Sequence, residues 1–336
     1  MTFLISHFSF LISHFSFLIS HFSFLISTMS SPKIIVVGSS NTDMVVKSQK
    51  IPAPGETVTG GEFFLAAGGK GANQAVAAAR LGGNVVFITR VGSDMFGEQA
   101  IAGYVKEGIN VDWAIRDPKY PTGVALILVD AQGENLISVA SGANHYLSPD
   151  DVVRAESVFR DADRVIVQLE TPLDTLQKTA ELAQKYGVPL LLDPAPAPTA
   201  PLSAELLQKI SCIKPNENEA EKLTGITIKD IPSAQNAADA LLKLGVKSVI
   251  ITLGTQGALV VEKPGAGTLV PANPVKAVDS TAAGDSFSGA LAVAWGGGQT
   301  LLDAARFAAK AAAISVTRMG AQPSLPTAKE MMGNES

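Results

Sequence analysis

The 336-residue chain holds a single cysteine, Cys212, and only four histidines, three of them (His7, His14, His21) within the first 28 residues. One cysteine excludes an intrachain disulfide and a cysteine-based metal cluster, and it fits a reducing compartment. Charged residues are scarce, at 17% against 46% apolar, and the net charge is −5. Such a balance suits a soluble protein with a well-filled core. It offers no general attraction to nucleic acid or to an anionic membrane, so neither is expected as a partner. An anionic substrate would need a local pocket of positive potential. Two motifs are also missing. No G-x-G-x-x-G is present, and Gly69-Lys70 is not followed by Ser or Thr as a Walker A loop requires. Neither a dinucleotide cofactor nor P-loop chemistry is indicated.

The beginning of the chain is unlike the rest. FLISHFS stands verbatim at 3–9, 10–16 and 17–23, and FLIS follows at 24–27. Coiled-coil heptads repeat a pattern and vary the letters. A secretory signal would carry positive charge and a small-residue cleavage site, and neither is present. Ser and His recur every seven residues with no charged anchors, which argues against a membrane span. The reading is a repetitive leader, 1–28, outside the fold. The working protein then occupies 29–333 from Met29, and a cytoplasmic location is expected.

From Lys33 onward, apolar β-branched runs alternate with helical sequence. IIVVG (34–38), NVVFITRVG (84–92), RVIVQLE (164–170), VPLLLDP (188–194) and KSVIITLG (247–254) read as buried strands. KGANQAVAAARL (70–81) reads as a helix ended by Gly82-Gly83. The pattern predicts an α/β fold: a doubly wound, mostly parallel sheet with helices on both faces. Segments 41–66 and 122–142 break it. TGVALILVD, a turn, and ENLISVASG show period-2 alternation, which is read as a small antiparallel sheet standing off the core as a lid; a hairpin packed at the edge of the main sheet fits the pattern equally. ALVVEKPGAGTLVPA (258–272) reads as another hairpin.

Two strings carry chemistry. VDSTAAGDSF (278–287) begins extended and leads into the Ala/Gly-rich helix FSGALAVAW. Small residues at 282–284 let backbone approach a ligand, and the free amides of a first helical turn form an anion site. Asp285 in that turn can accept a proton from a hydroxyl nucleophile while the amides of Ala282, Ala283 and Gly284 hold a transferring phosphoryl group. In isolation, an Asp there more often merely stabilises a helix start. The second string is AAGGKGANQA (66–75), whose Lys70 and Asn73 can hydrogen-bond the hydroxyls of a polyol.

The pairing of AGGKGAN near the start with DSTAAGD near the end resembles the paired signatures of the PfkB family of carbohydrate kinases, and the likeness extends over residues 33–326. The resemblance implies ATP-dependent phosphorylation of D-ribose at its 5-hydroxyl. Another small sugar or nucleoside (deoxyribose, fructose, adenosine), or a non-catalytic sugar-binding regulator, is the alternative. It also implies that Asn41 and Asp43 of GSSNTD bind the sugar together with Gly69, Lys70, Asn73 and Glu170. Asn216 and Glu219 of KPNENE would organise magnesium and phosphate, largely through water. Thr252, Gly254 and Gly257 would line the ATP site with Gly284, and Ala309 would face the adenine. A monovalent cation such as potassium is implied at Asp279 and Thr281, joined by Ser315, Arg318, Gly320 and Ser324 from ISVTRMGAQPS, read as strand-like. A homodimer through the lid is implied as well. Ser280 replaces the usual Thr and Ala283 a glycine of the broader signature; neither change touches the base.

Overall fold

The computed structural model describes residues 31–333; the repetitive leader lies outside them. The strands, in chain order, are β1 (Lys33–Val37), β2 (Asn41–Lys47), β3 (Glu62–Gly68), β4 (Asn84–Ile88), β5 (Arg90–Gly92), β6 (Ile115–Asp117), β7 (Gly123–Val129), β8 (Asn135–Ala140), β9 (Arg164–Val167), β10 (Leu190–Leu192), β11 (Cys212–Ile213), β12 (Val249–Thr252), β13 (Ala258–Val261) and β14 (Thr268–Val270). The helices are α1 (Lys70–Arg80), α2 (Met95–Lys106), α3 (Pro149–Arg154), α4 (Leu173–Tyr186), α5 (Ala204–Leu207), α6 (Glu217–Thr224), α7 (Ile231–Lys243), α8 (Ala283–Gly296), α9 (Leu301–Ser315) and α10 (Ala328–Met332).

The main sheet runs β14-β13-β12-β11-β10-β9-β1-β4. It is parallel from β4 to β12, and the last two strands are antiparallel as a hairpin requires. Successive residues of each strand feed opposite cores. Ile34, Val36, Ile166, Leu191 and Ile250 pack with α1, α8 and α9, whereas Ile35, Val37, Val165, Leu192 and Ile251 pack with α4 and α7. A strand buried on both faces has no polar side to alternate with, which is why these segments read as continuous apolar runs.

The second sheet has the order β3-β2-β7-β8. The expected hairpin is there, with β7 antiparallel to β8. One expectation needs correcting: the central pair, β2 with β7, is parallel, so the sheet is mixed rather than antiparallel. Alternation has the same period in either direction, and β2 and β7 are joined by a long crossover through α1 and α2, not by a turn. The run 84–92 also divides, because β5 leaves the main sheet after Thr89 to pair with β6. ISVTRMGAQPS is not strand-like: Ser315 is the last residue of α9, and Gln322–Ser324 is a single 3₁₀ turn. Its Ile and Val continue the apolar spacing of the Ala-rich helix before them.

Candidate active site

Polar chemistry gathers where the parallel strands end, the edge at which open α/β sheets bind ligands. Leu192 of β10 is in register with Val167 of β9 and Ile213 of β11. The next residue on each chain is polar and buried: Gln168, Asp193 and Lys214. They form a row along the sheet edge, with the Lys214 ammonium 3.2 Å from Asp193.

Above this row, α1 and α8 pack closely because small residues face each other. A Cβ on Gly289 would stand 2.6 Å from that of Ala77. One helical turn earlier on each helix lie Asn73 and Asp285, which share those faces by i, i+4 spacing. The close approach brings Asn73 Nδ2 within 2.9 Å of Asp285 Oδ2, and Gln74 Nε2 within 2.9 Å of Asp285 Oδ1. Asn73 Oδ1 is buried and has no partner among the described residues. Burial pushes the Asp285 carboxyl up to about 6, offset by the Lys70 ammonium and the two amide donors, while Asp193 adds to the rise. A carboxylate tuned toward neutrality is suited to taking a proton and returning it.

The start of α8 is set by Ala282, at φ 59, the sole non-glycine residue with positive φ among the described residues. Backbone held in that region at a loop-to-helix junction stores strain. The first amide bonded within the helix is that of Ser286, to Ala282 O at 2.8 Å. The amides of Ala282 and Gly284 have no acceptor among the described residues and are open to an anion. That of Ala283 is turned toward Ser280 O at 3.2 Å, so it is not a free donor as the sequence suggested. The Lys214 ammonium lies 3.7 Å from the point where Gly284 would carry a Cβ, adding positive charge beside the open amides.

The sugar-side residues also converge. Glu170 Oε2 accepts from Ser39 Oγ at 2.5 Å and from the Lys70 amide at 2.9 Å. Asn41 Oδ1 accepts from Asn144 Nδ2 at 2.7 Å, leaving its own amide nitrogen free to donate. Gly68 is required here: a Cβ would lie 2.3 Å from both Asp43 carboxylate oxygens. Gly69, at φ 89, carries the chain past Asn41 into α1. Burial pushes the Asp43 carboxyl up to about 7, with the charges of Glu170 and Asp285 adding to the rise. Burial would lower the Lys70 ammonium, but Asp285, Asp193, Glu170 and Glu219 together hold it above its ordinary value.

On the nucleotide side, Asn216 and Glu219 form a reciprocal capping box at the start of α6, with both bonds at 2.8 Å. Glu219 is raised chiefly by burial. Thr252 donates its amide to Pro215 O at 3.0 Å and bridges Asn216, so the end of β12 meets that helix start. Gly254 and Gly257 form the turn that follows, at φ 53 and 106. Ala309 is buried in the core on α9.

The cation segments meet as well. Val278 and Asp279 donate their amides to Val316 O, and Asp279 Oδ2 accepts the Gly320 amide at 2.8 Å. Asp279 Oδ1 is taken by Thr281, through its amide at 2.9 Å and its hydroxyl at 2.6 Å. Ser315 and Ser324 return their hydroxyls to Ala312 and Ala321 carbonyls, and Arg318 reaches Glu330. Backbone carbonyls are what this loop has left to offer an ion.

Sequence reasoning missed Gln74, Gln168, Asp193, Lys214, Ser39 and Asn144. A signal existed for three of them: a polar residue immediately following a buried apolar strand.

The arrangement sets a buried carboxylate, held by two amide donors, beside a helix start whose open amides suit an anion. Comparison with known proteins supplies the class. The model of the pfkB family carbohydrate kinases matches residues 31–328. The chain is 44% identical to the ribokinase of Haemophilus influenzae over 89% of this chain and 97% of that protein. It is 42% identical to the ribokinase of Schizosaccharomyces pombe over 90% and 97%. The solved structure of Arabidopsis thaliana ribokinase complexed with ribose and ATP superposes with a TM-score of 0.83 at 34% identity, covering 90% of this chain and 98% of that one. The chain belongs to the pfkB family of carbohydrate kinases.

Proposed function

We propose that this protein transfers the γ-phosphoryl group of ATP to the 5-hydroxyl of D-ribose, giving D-ribose 5-phosphate and ADP, with Asp285 as the base. The observation that carries the reading is the convergence on Asp285. Its carboxylate is held by Asn73, whose unpartnered Oδ1 awaits a hydroxyl donor, and the open amides of Ala282 and Gly284 are in the same short segment. Asn41, Asp43, Lys70, Asn73 and Glu170 bind the sugar, as a carboxylate can accept two hydroxyl bonds at once. Gly69 brings the chain into this wall. The Asp285 carboxylate takes the proton of the attacking hydroxyl, while the amides of Ala282 and Gly284, with Lys214 beside them, meet the charge on the transferring group.

ATP lies along Asn216, Glu219, Thr252, Gly254 and Gly257, with its adenine toward α9 near Ala309. Magnesium prefers oxygen ligands and keeps several waters, and the Glu219 carboxylate with the Asn216 amide fits that habit. Bound with the nucleotide, it would offset phosphate charge. A monovalent cation, potassium for preference, would be held by backbone carbonyls of the Asp279–Thr281 loop and of Ser315, Arg318, Gly320 and Ser324, and would supply positive charge there.

The four-stranded sheet closes over the sugar and limits wasteful hydrolysis of ATP. Phe63, Leu126, Leu136, Ile137 and Val139 on it are each more than half exposed, which supports a homodimer made by two such sheets. The kinase unit is 29–333, and a chain begun at Met29 keeps full turnover. The reading places the enzyme in the cytoplasm, where ATP is available as co-substrate. The decisive experiment is ATP turnover by purified protein with ribose, deoxyribose, fructose, adenosine or no acceptor, with and without potassium. Ribose-dependent turnover raised by potassium is expected. Turnover with another acceptor would keep the mechanism and replace the sugar.

A further inference from the structure

We propose that Gln74, which no substrate can reach, is a positioning residue that orients the Asp285 carboxylate and ties it to the Asp193–Lys214 pair. The inference rests on Asp285 being the base. Gln74 is fully buried, although it stands in the middle of the Ala-rich helix α1. A buried carboxamide in such a helix needs a reason, because an unpaired polar group there is costly.

Its partners supply the reason. Nε2 donates to Asp285 Oδ1 and to Asp193 Oδ2, both at 2.9 Å, so one amide group joins two carboxylates from different elements. Carboxylates only accept, so the end of Gln74 facing them must be its NH₂. Oε1 then points away, and Gln168 Nε2 donates to it at 2.7 Å. Gln168 is equally buried, and its own Oε1 lies 2.0 Å from where Gly38 would carry a Cβ. Glycine at 38, on the turn after β1, therefore makes room for Gln168. Gln168 fixes the orientation of Gln74, and Gln74 fixes Asp285. Beyond the bridge, Asp193 is held by Ser288 Oγ at 2.9 Å and by Lys214 at 3.2 Å.

The chain of bonds has an electrostatic consequence. Asp285 is faced by Lys70 from α1, by Asp193 from the end of β10 with Lys214 behind it, and by Asp43 from β2, next to which stands Glu170. Without the Gln74 bridge, Asp285 and Asp193 would oppose each other with no donor between them. Donors on a carboxylate favour its charged form, so their loss raises the pH at which the base ionises.

The test is the pH profile of kcat for the full chain, with MgATP and the acceptor that gives turnover, for native enzyme, Gln74→Met, Gln168→Met and Asp285→Asn. Circular dichroism checks that each variant is folded. Gln74→Met is expected to move the acidic limb up by about 1–2 pH units. Its rate falls about two- to tenfold at pH 7 and largely recovers toward pH 9, as deprotonation of a weaker acid requires. KM for sugar and for ATP stays within about twofold, because Gln74 touches neither. Gln168→Met, which loses only the orienting bond, shifts the limb less and in the same direction, and it carries the test if Gln74→Met does not fold. A folded Gln74→Met with the native limb, or with one uniform loss at every pH, overturns the proposal while leaving the base intact. An Asp285→Asn enzyme as active as the native one instead removes the base, and the role of Gln74 with it.

Discussion

The two principal sheets use similar residues to opposite ends. In the eight-stranded sheet, β1, β9 and β10 are sealed on both faces by helices, and Ile34, Ile35, Ile166 and Leu191 have no exposed surface. In the four-stranded sheet, β8 is exposed along its whole length, and Leu136 and Ile137, which point to opposite faces, are each more than half open. The first sheet spends its apolar surface on rigidity and presents polar groups only where its strands end. The second keeps apolar surface in reserve for whatever covers it. At the end of the first sheet the Asp285 carboxylate is enclosed by packed helices, whereas the second leaves the apolar surface that the proposed closure and dimer contact would cover.

The contrast is broken most sharply at the rigid edge. Asp285→Asn should lower kcat on the order of 10²–10⁴ with the fold intact, as measured by ATP turnover and circular dichroism. Next in size, Leu191→Ala in the sealed sheet should cost about 2–5 kcal/mol of stability in denaturant unfolding. The same kind of truncation in the open sheet should behave differently. Ile137→Ser with Val139→Ser should change the unfolding free energy of the isolated chain by less than about 1 kcal/mol, yet shift sedimentation from dimer toward monomer. A large loss of monomer stability would mean that the sheet is more tightly held than its exposure indicates.

The smallest effect is on pH dependence. Asp43 and Asp285 ionise in the fold near about 7 and about 6, above the ordinary carboxylate range. Each binds its proton more tightly folded than unfolded, so the stability it contributes is fully present below that range and lost as pH rises through those values. The proposed base must be charged to act, so activity should climb across the same interval. Thermal unfolding of ligand-free protein from pH 4 to 8 should show this decline, and Asp43→Asn should flatten it. An unchanged slope in Asp43→Asn would show that Asp43 titrates normally.

Much of this was readable beforehand, for a definable reason. Strands buried on both faces leave unbroken apolar runs, and α1 and α8 are Ala-rich helices with glycine-bearing entries, so the main sheet and the position of Asp285 follow from local pattern. The two-residue strand Cys212–Ile213 is too short to carry a pattern. The parallel pairing of β2 with β7 was hidden because alternation does not encode direction. Gln74 and Gln168 escaped because their significance lies in contacts across 94 and 211 residues of chain, invisible to any window. The free or engaged state of each amide at 282–284 depends on the backbone at Ala282, and alanine ordinarily avoids that conformation.

That last choice has a consequence for how the loop behaves between catalytic cycles. Glycine would take φ 59 with no steric cost, and alanine gives up about 1–2 kcal/mol to do so. Because alanine by itself prefers negative φ, the turn is not held by local preference; the packing around it must hold it, and the strain is released wherever that packing is lost. The open amides of Ala282 and Gly284 therefore owe their direction to the fold around the loop, and loosening that fold would let the turn relax before any change reached the amides themselves.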